Sequence, residues 1–342
     1  MSGARARRWY GAVPLAILAA AMLPVSVTPV AAQSTPATCT LTPASAGDPT
    51  DICRKASDLF AFVVPQIGVA VAGGNSILGE GGTLGGWGKR SITLRATAVD
   101  GQMPRNSVPL TLTKSGSVAD DFGAERTAVP MPSIDAAIGL LTGAPAGVTN
   151  VLGVDALVGA TIVPRVSVGQ FRIDPSGGAI AWSYGLRVGA LQESSFVPGL
   201  SVSWMRRRMP TLDADYTSGN DTIAVRNTSV SAEALRVVAS KRFALFGLAL
   251  GMGRDRIEGA SRIEATVNES GTRSAIRISE LNDKTNRNTA FANVSFGVLM
   301  ARVVAEYGRS SAGSLRETLN SFGTRKANEG YQYGSLGVTV RF

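Results

Sequence analysis

The sequence predicts an all-β protein: a transmembrane antiparallel β-barrel of about 12 strands (range about 10 to 14), preceded by a short N-terminal helical, plug-like segment. Three observations favour this fold class. Apolar residues recur at every second position along most of the chain after residue 66. Most of these alternating segments are about 9 to 13 residues long, which exceeds an ordinary soluble strand. The connections on the two sides of the predicted sheet also differ in length.

Residues 1–32 have the pattern of an export signal peptide. A basic start with Arg5, Arg7 and Arg8 precedes an apolar run over 12–25 and a small-residue exit at Ala31-Ala32. The run is shorter than the roughly 20 residues of a spanning helix, which weighs against the alternative of a membrane anchor. We therefore expect an exported chain. Loss of the three arginines lowers the net charge from +9 to +6, a diffuse excess that does not indicate a nucleic-acid partner.

Cys39 and Cys53 are the only cysteines in the sequence. In an oxidising compartment such a pair forms a disulfide across a short loop, and we predict that it staples the N-terminal segment, residues 33–65. A metal site is not indicated, because the chain contains no histidine. Residues 50–64 have a helical pattern that Pro65 is predicted to end. Two roles stay open for this segment: a plug in the lumen, or a flexible periplasmic leader.

Residues 66–342 are predicted to form the barrel. Between Ile180 and Val188, for example, Ile, Trp, Tyr, Leu and Val alternate with Ala, Ser, Gly and Arg. The predicted strands are Gln66–Gly73, Trp87–Val99, Val108–Lys114, Val154–Val163, Arg165–Ile173, Ala179–Leu191, Gly199–Arg208, Thr228–Ala239, Phe243–Ile257, Asn288–Val298, Ala301–Arg309 and Gly330–Phe342. Alternation alone does not distinguish a membrane barrel from a soluble β-sandwich, and strand length favours the barrel.

The lengths of the connections give a separate test. If the end of the last strand is placed in the periplasm, the turns at Leu299-Met300, at 240–242 and at Pro164 lie on the periplasmic side. The long polar links at 209–227, 258–287 and 310–329 then all lie outside, as expected for such barrels.

Two regions fit this pattern poorly. Residues 115–153 include SIDAAIGLL (133–141), which has the pattern of a short helix capped by Ser133. Residues 258–287 contain two short alternating patches, interpreted as a hairpin above the membrane. Two further spanning strands remain an alternative for this region, since they would keep the strand number even.

Five charged residues are predicted to face the lumen: Arg95, Arg187, Arg207, Arg302 and Glu306. In an open lumen the arginines would create a field that favours anions. In a filled lumen they would instead pair with acids and hold the barrel together. Both interpretations stay open.

Known catalytic mechanisms of membrane barrels do not fit this composition. A serine nucleophile needs a histidine or a buried lysine beside it, and histidine is absent. Ser-Lys chemistry and a paired-carboxylate site stay open as alternatives, although acids such as Asp120-Asp121 and Asp213–Asp215 lie in loop-like stretches where solvated charge is the ordinary explanation. The glycine-rich run at 79–88 does not have phosphate-loop spacing, and Arg90 stands where Ser or Thr is required. We predict no enzymatic activity and no cofactor.

The last strand carries the family resemblance. Leu336, Val338, Val340 and Phe342 share one face, and the segment ends on an aromatic residue. This pattern resembles the C-terminal strand of bacterial outer-membrane β-barrels, where it is the signal read by the barrel-assembly machinery. The N-terminal plug-like segment and the strand number are similar to the long-chain fatty acid (FadL-like) transporters, although an Asn-Pro-Ala motif is absent.

The resemblance implies an outer-membrane location, contact with outer-membrane lipid and the assembly machinery as a partner. It also implies a channel or passive transporter for small molecules, including hydrophobic compounds. The alternative is a structural or adhesive barrel that acts through its long outer loops.

Overall fold

The computed structural model describes residues 39–42, 47–112, 116–168, 171–269, 271–315 and 317–342, so the predicted signal peptide lies outside the described residues. The elements are β1 (Cys39–Thr42), α1 (Thr50–Ala72), β2 (Arg90–Pro104), β3 (Ala124–Leu141), β4 (Ala144–Ala146), β5 (Thr149–Val151), β6 (Gly153–Ile162), β7 (Val166–Val168), β8 (Phe171–Pro175), β9 (Ile180–Leu191), β10 (Gly199–Arg208), β11 (Leu212–Ser218), β12 (Asp221–Phe243), β13 (Phe246–Glu269), β14 (Thr272–Val298), β15 (Ala301–Ser310) and β16 (Tyr331–Arg341).

Ten strands in the described part of the chain pair antiparallel in a ring. Their order is β2, β3, β6, β9, β10, β12, β13, β14, β15 and β16, and β16 pairs back with β2. Ten strands lie within the predicted range of about 10 to 14, two below its central value of twelve. Gln66–Gly73, Val108–Lys114 and Arg165–Ile173 contribute no strand to the ring, whereas β3, which is absent from the prediction, does.

Alternate residues of the ring strands point to opposite sides, with apolar residues outside. In β2, Ile92 and Leu94 are exposed, while Ser91, Thr93 and Arg95 are buried. The same alternation in the other strands gives the ring an apolar outer band. Exposed members of this band include Ile134, Val158, Trp182, Leu186, Val202, Leu235, Leu248, Val294, Val303, Leu336 and Val338.

The prediction of a helix at 133–141 is wrong, because these residues belong to β3. Ser133, Asp135 and Ala137 face inward and Ile134 and Ile138 face outward, which is an alternation of period 2. Pairing with β2 and β6 on either side decides in favour of the strand.

The two ends of the ring differ in their connections. At one end, which we call the short-turn end, β12 joins β13 through residues 244–245 and β14 joins β15 through residues 299–300. At the opposite, long-loop end lie residues 105–123 and 311–330, which connect β2 to β3 and β15 to β16. Pro164 lies at the long-loop end, so the tight turn predicted there on the other side is wrong.

The long strands β12, β13 and β14 continue beyond the apolar band at the long-loop end. The exposed face of β13 carries Phe246, Leu248, Leu250 and Met252, and further along Arg256, Arg262 and Glu264. Its inner face changes in the opposite sense, from Gly247, Ala249 and Gly251 to Ile257, Ile263 and Val267. The outer face of β13 therefore faces hydrocarbon along the apolar band and faces water beyond it.

The continuing strands form a sheet extension, in which the order is β7, β8, β11, β12, β13, β14 and β1. The region predicted as a hairpin above the membrane is the far part of β13 and β14. The inner face of the extension packs with α1 and the long loops in one apolar core. Phe62 of α1 stacks on Phe322 with ring centroids 4.0 Å apart, and Phe122 also stacks on Phe322, at 5.6 Å.

Candidate functional site in the barrel interior

Helix α1 lies inside the ring. The helix is long and apolar enough to cross a membrane, yet 94% of an apolar 18-residue stretch of it is buried within the protein. Two glycines allow the helix to approach the wall. A Cβ at Gly68 would collide with Ile257 of β13, and a Cβ at Gly259 would lie 2.6 Å from Val64. The helix therefore packs directly on the inner surface of β13.

The helix continues through Pro65 to Ala72, so the predicted end at Pro65 and the predicted strand Gln66–Gly73 are both wrong. Proline lacks an N–H and leaves a carbonyl of the preceding turn without its usual donor. The buried Gln66 side chain donates from Nε2 to the carbonyl of Phe62 over 2.9 Å, and its Oε1 accepts from the N–H of Gln102 over 2.6 Å. The carbonyl that Pro65 leaves without a donor is that of Ala61, so Gln66 does not replace the missing bond; it adds a contact beside the proline and ties the helix to β2.

Three buried arginines surround the C-terminal end of α1, and we call them the arginine collar: Arg95, Arg207 and Arg236. Arg207 donates to the carbonyl of Ala72 over 2.9 Å, and Arg236 donates to the carbonyl of Gly73 over 2.7 Å. Arg236 also reaches the carbonyl of Gly74 and Arg95 that of Asn75, over 3.0 and 2.8 Å. A helix C-terminus has unpaired carbonyls and a partial negative charge, so cations are favourable there.

Two acids on neighbouring strands balance the arginine collar. Arg95 pairs with Asp135 of β3 at 2.7 Å, and Arg236 pairs with Asp255 of β13 at 2.6 Å. In the described residues Arg207 makes no ion pair, and its contact with the helix carbonyl is its main polar interaction. Buried charges of this kind are tolerated only when they are paired and hydrogen-bonded.

The chain between α1 and β2, residues 73–88, fills the remainder of the interior towards the short-turn end. The N–H of Asn75 donates to Glu306 over 2.8 Å, and the Asn293 amide donates to the same carboxylate over 2.7 Å. Nearer the short-turn end, Asp155 accepts a hydrogen bond from the N–H of Leu84 and pairs with Arg187 at 2.7 Å. The barrel boundary therefore falls near Arg90 and not at residue 66.

The residues predicted to face the lumen are placed as follows. Arg95, Arg187, Arg207 and Glu306 are all buried inside the ring, where each contacts the helix, residues 73–88 or a wall acid. Arg302 is only partly buried and reaches Ser295 over 3.4 Å. Arg302 and Glu306 do not form an ion pair in the described residues.

Sequence reasoning missed four members of the site: Arg236, Asp135, Asp155 and Asp255. Arg236 lies between Leu235 and Val237, whose alternation already directs it inward, so the signal was present. Asp135 was missed because residues 133–141 were interpreted as a helix, which gives no inward-facing strand position. Nothing in the sequence indicates that Arg236 and Asp255 are partners, because only the register of β12 and β13 brings them together.

The arrangement holds a helix in place. One cavity, of about 10 Å³, lies at the short-turn end beside Glu80, Thr83 and Arg341. A second, of about 320 Å³, lies at Asn227, Arg262 and Asn282, on the sheet extension and away from the interior. No cluster of metal-binding side chains occurs within the described residues.

The cysteines lie near the long-loop end of this interior segment. Cys53 is buried in the first turn of α1, and Cys39 begins β1, which pairs with β14. The disulfide between Cys39 and Cys53 stays a prediction, and mass spectrometry of the non-reduced protein is its direct test.

No protein-family model matches the chain, and no curated protein matches it. Among solved structures it is similar to the outer membrane protease OmpT from Escherichia coli, at 10% identity, with 74% of this chain and 96% of that chain covered and a TM-score of 0.38. It is also similar to the translocator domain of the autotransporter NalP from Neisseria meningitidis, at 11% identity, with 75% of this chain and 89% of that chain covered and a TM-score of 0.36. A third similar structure is the P. putida toluene transporter TodX, at 8% identity, with 74% of this chain and 88% of that chain covered and a TM-score of 0.27. At these values the likeness says nothing about activity.

The geometry of the chain itself is that of an outer-membrane β-barrel protein. An antiparallel ring with an apolar outer band and a polar interior satisfies its backbone hydrogen bonds within hydrocarbon. Its location is accordingly the outer membrane.

Proposed function

We propose that the protein is a closed, ten-stranded outer-membrane barrel that conducts no solute and has no catalytic turnover. It serves as a membrane anchor that presents the sheet extension and the long loops for binding. This is the structural or adhesive alternative to the channel predicted from the sequence. The observation that carries it is the filled interior, where α1 and residues 73–88 occupy the space within the ring.

The polar contacts of the interior support a permanent plug. Breaking the arginine collar would expose charges at Arg95 and Arg236 together with their acids, all of which are buried. Withdrawal of the helix would break the hydrogen bonds from Arg207 and Arg236 to the carbonyls at its end, and a hydrogen bond to a charged group contributes about 1.5–3 kcal/mol. The apolar core shared by α1 and the sheet extension adds to this cost.

Passive transport remains the second candidate, and one observation favours it. The wall around residues 73–88 is lined by polar side chains such as Thr93, Thr97, Ser203 and Ser335. If α1 and residues 73–88 left the ring, these side chains would line a polar passage. A channel would then need a signal that moves the helix.

Planar-bilayer conductance of the purified full-length protein separates the two functions. We expect no current steps from the natural sequence, because the interior is occupied. Gly68→Phe should unseat α1, because even a Cβ at this position collides with Ile257, and this variant is expected to conduct.

The matched control is Ala275→Phe, which adds the same ring at an exposed position of the sheet extension. It should remain silent. Regular current steps from the natural sequence, together with solute uptake in liposomes, would contradict the anchor and establish transport.

A further inference from the structure

Cations are concentrated on the outer surface just beyond the apolar band at the long-loop end. We call these residues the cationic row: Arg206 and Arg208 of β10, Arg254 and Arg256 of β13, Lys284 of β14 and Arg309 of β15. Strand register brings the cations of β10, β13 and β14 together, and Arg309 lies opposite Ala290 of β14. Arg206 and Arg256 both lie opposite Glu233 of β12, and Lys284 lies opposite Glu258.

The cationic row carries more positive charge than its neighbours neutralise. Glu233 pairs with Arg206 at 3.2 Å, and Glu258 pairs with both Arg256 and Lys284 at 2.7 and 3.1 Å. Within the described residues Arg208, Arg254 and Arg309 form no ion pair. These three cations therefore face outward without an acidic partner on the protein.

Aromatic side chains lie directly below the cationic row on the same face. Trp204 precedes Arg206 by two residues and Tyr307 precedes Arg309 by two, so each pair shares one side of its strand. Trp182 and Tyr184 of β9 lie opposite Arg208 and Arg206. All four aromatic residues are exposed, from 39% at Trp204 to 67% at Trp182. Exposed Trp and Tyr mark the level of the lipid headgroups.

A polar groove lies directly above the cationic row. It has a volume of about 320 Å³ and is lined by Asn227, Ala260, Ser261, Arg262, Glu280 and Asn282. Asn282 is two residues from Lys284 and lies on the same face. The amides, carboxylate and guanidinium offer both donors and acceptors, which suits the hydroxyl groups of a sugar.

Three cations of the short-turn end serve the turns of the protein. Arg242 pairs with Glu193 at 3.1 Å, Arg341 pairs with Glu80 at 3.2 Å, and Lys241 donates to the carbonyls of Ser194 and Ser195. Lys89 and Arg90 at the same end are exposed and form no ion pair within the described residues, so it is the groove above the cationic row that marks the long-loop end as a binding site.

We propose that the cationic row and the groove above it bind a phosphorylated glycolipid of the surrounding leaflet. Arg208 and Arg254 contact its phosphate groups, the aromatic residues lie beside its acyl chains, and the groove receives its sugar. Charge complementarity and the level of the aromatic residues carry this assignment. It does not depend on whether the lumen is closed.

The test uses the full-length protein in phosphatidylcholine nanodiscs that contain either lipid A or phosphatidylglycerol as the minor component. Lipid retained by the protein is quantified by native mass spectrometry. We expect lipid A to be enriched over phosphatidylglycerol. Arg208→Gln with Arg254→Gln should lower lipid A retention by about fivefold for each cation removed.

Arg273→Gln is the charge-matched control, because Arg273 is exposed near the tip of the β13–β14 hairpin, far from the band. It should retain lipid A normally, whereas Asn282→Leu in the groove should weaken lipid A but not phosphatidylglycerol. Heat-modifiable migration checks that each variant is folded. Equal retention of the two lipids by the natural protein, or an equal loss in Arg273→Gln, would overturn the proposal.

Discussion

At the residue scale, the interior depends on buried arginines, two of which, Arg95 and Arg236, both bind carbonyls beyond the helix and pair with an acid in the wall. Arg236 binds the carbonyls of Gly73 and Gly74 at the end of α1 and pairs with Asp255 in the wall. It is fully buried, as is Asp255. A single guanidinium thus joins the helix terminus to β13, and its planar set of donors is suited to this geometry.

We predict that Arg236→Met destabilises the protein by about 3–5 kcal/mol, because Asp255 is left as an unpaired buried charge. The measurement is the free energy of unfolding in urea, followed by heat-modifiable migration. Arg236→Met combined with Asp255→Asn should recover part of the loss. Arg256→Met, which breaks an exposed pair, should cost no more than about 1 kcal/mol. Equal effects of the buried and exposed variants would contradict the assigned role of the collar.

At the element scale, close approach of strands depends on glycines opposite aromatic rings. Gly251 of β13 faces Phe291 of β14, and Gly308 of β15 faces Tyr333 of β16. A Cβ at either glycine would collide with the facing ring. Each ring therefore lies over a strand position without a side chain, which accounts for the glycines at these two sites.

The two long loops at the long-loop end, residues 105–123 and 311–330, are joined by one carboxylate. Asp121 in the β2–β3 connection accepts from the N–H of Gly323 over 2.7 Å and from that of Gly123 over 2.9 Å. These bonds, chiefly the one from Gly323, hold the pKa of Asp121 below its ordinary value of 3.8. The ionised form therefore stabilises the joined loops.

We predict that the joined loops open at low pH. The contribution of Asp121 is fully present above its unfolded pKa, and it is lost as the pH falls through the lower folded pKa. Pulsed hydrogen exchange, corrected for intrinsic rates, should show faster exchange around Gly323 at pH about 2 than at pH about 6. Asp121→Asn should exchange rapidly at both values. A pH response that persists in Asp121→Asn would assign the effect to another group.

At the scale of the whole molecule, the seam of the ring lies between β16 and β2. Leu336, Val338, Val340 and Phe342 are exposed on the outer face of this seam. The N–H of Phe342 donates to the carbonyl of Arg90 over 3.1 Å, and the N–H of Arg90 donates back over 2.8 Å. Their role as an assembly signal stays a prediction.

We predict that Phe342→Ala strongly lowers the amount of protein reaching the outer membrane, because it alters the strand that the assembly machinery is expected to recognise. Quantitative blotting of membrane fractions measures this. Phe243→Ala is the control, since Phe243 is similarly exposed, at 63% against 57%, and also lies at the short-turn end. Normal levels of Phe342→Ala, or equal losses in both variants, would count against the signal.

Most strands of the barrel wall can be predicted from local sequence, whereas few of the contacts in the interior can. The alternation of residues 180–188 or 246–252 is enough to define a strand and its outer face. The arginine collar is different, because the contacts of Arg207 with Ala72 and of Arg236 with Gly73 join residues separated by more than 100 positions. No local pattern encodes such a pairing.

The sequence by itself determined most of the wall strands and which residues share a face of each, because side-chain alternation of period 2 is a property of each strand alone. Only the tertiary structure decided that α1 runs through Pro65 and fills the ring. Its helix is stabilised there by Gln66, by Ile257 of β13 and by arginines from three other strands. Those partners become neighbours only when the ring has formed, and for that reason the content of the lumen is a property of the fold.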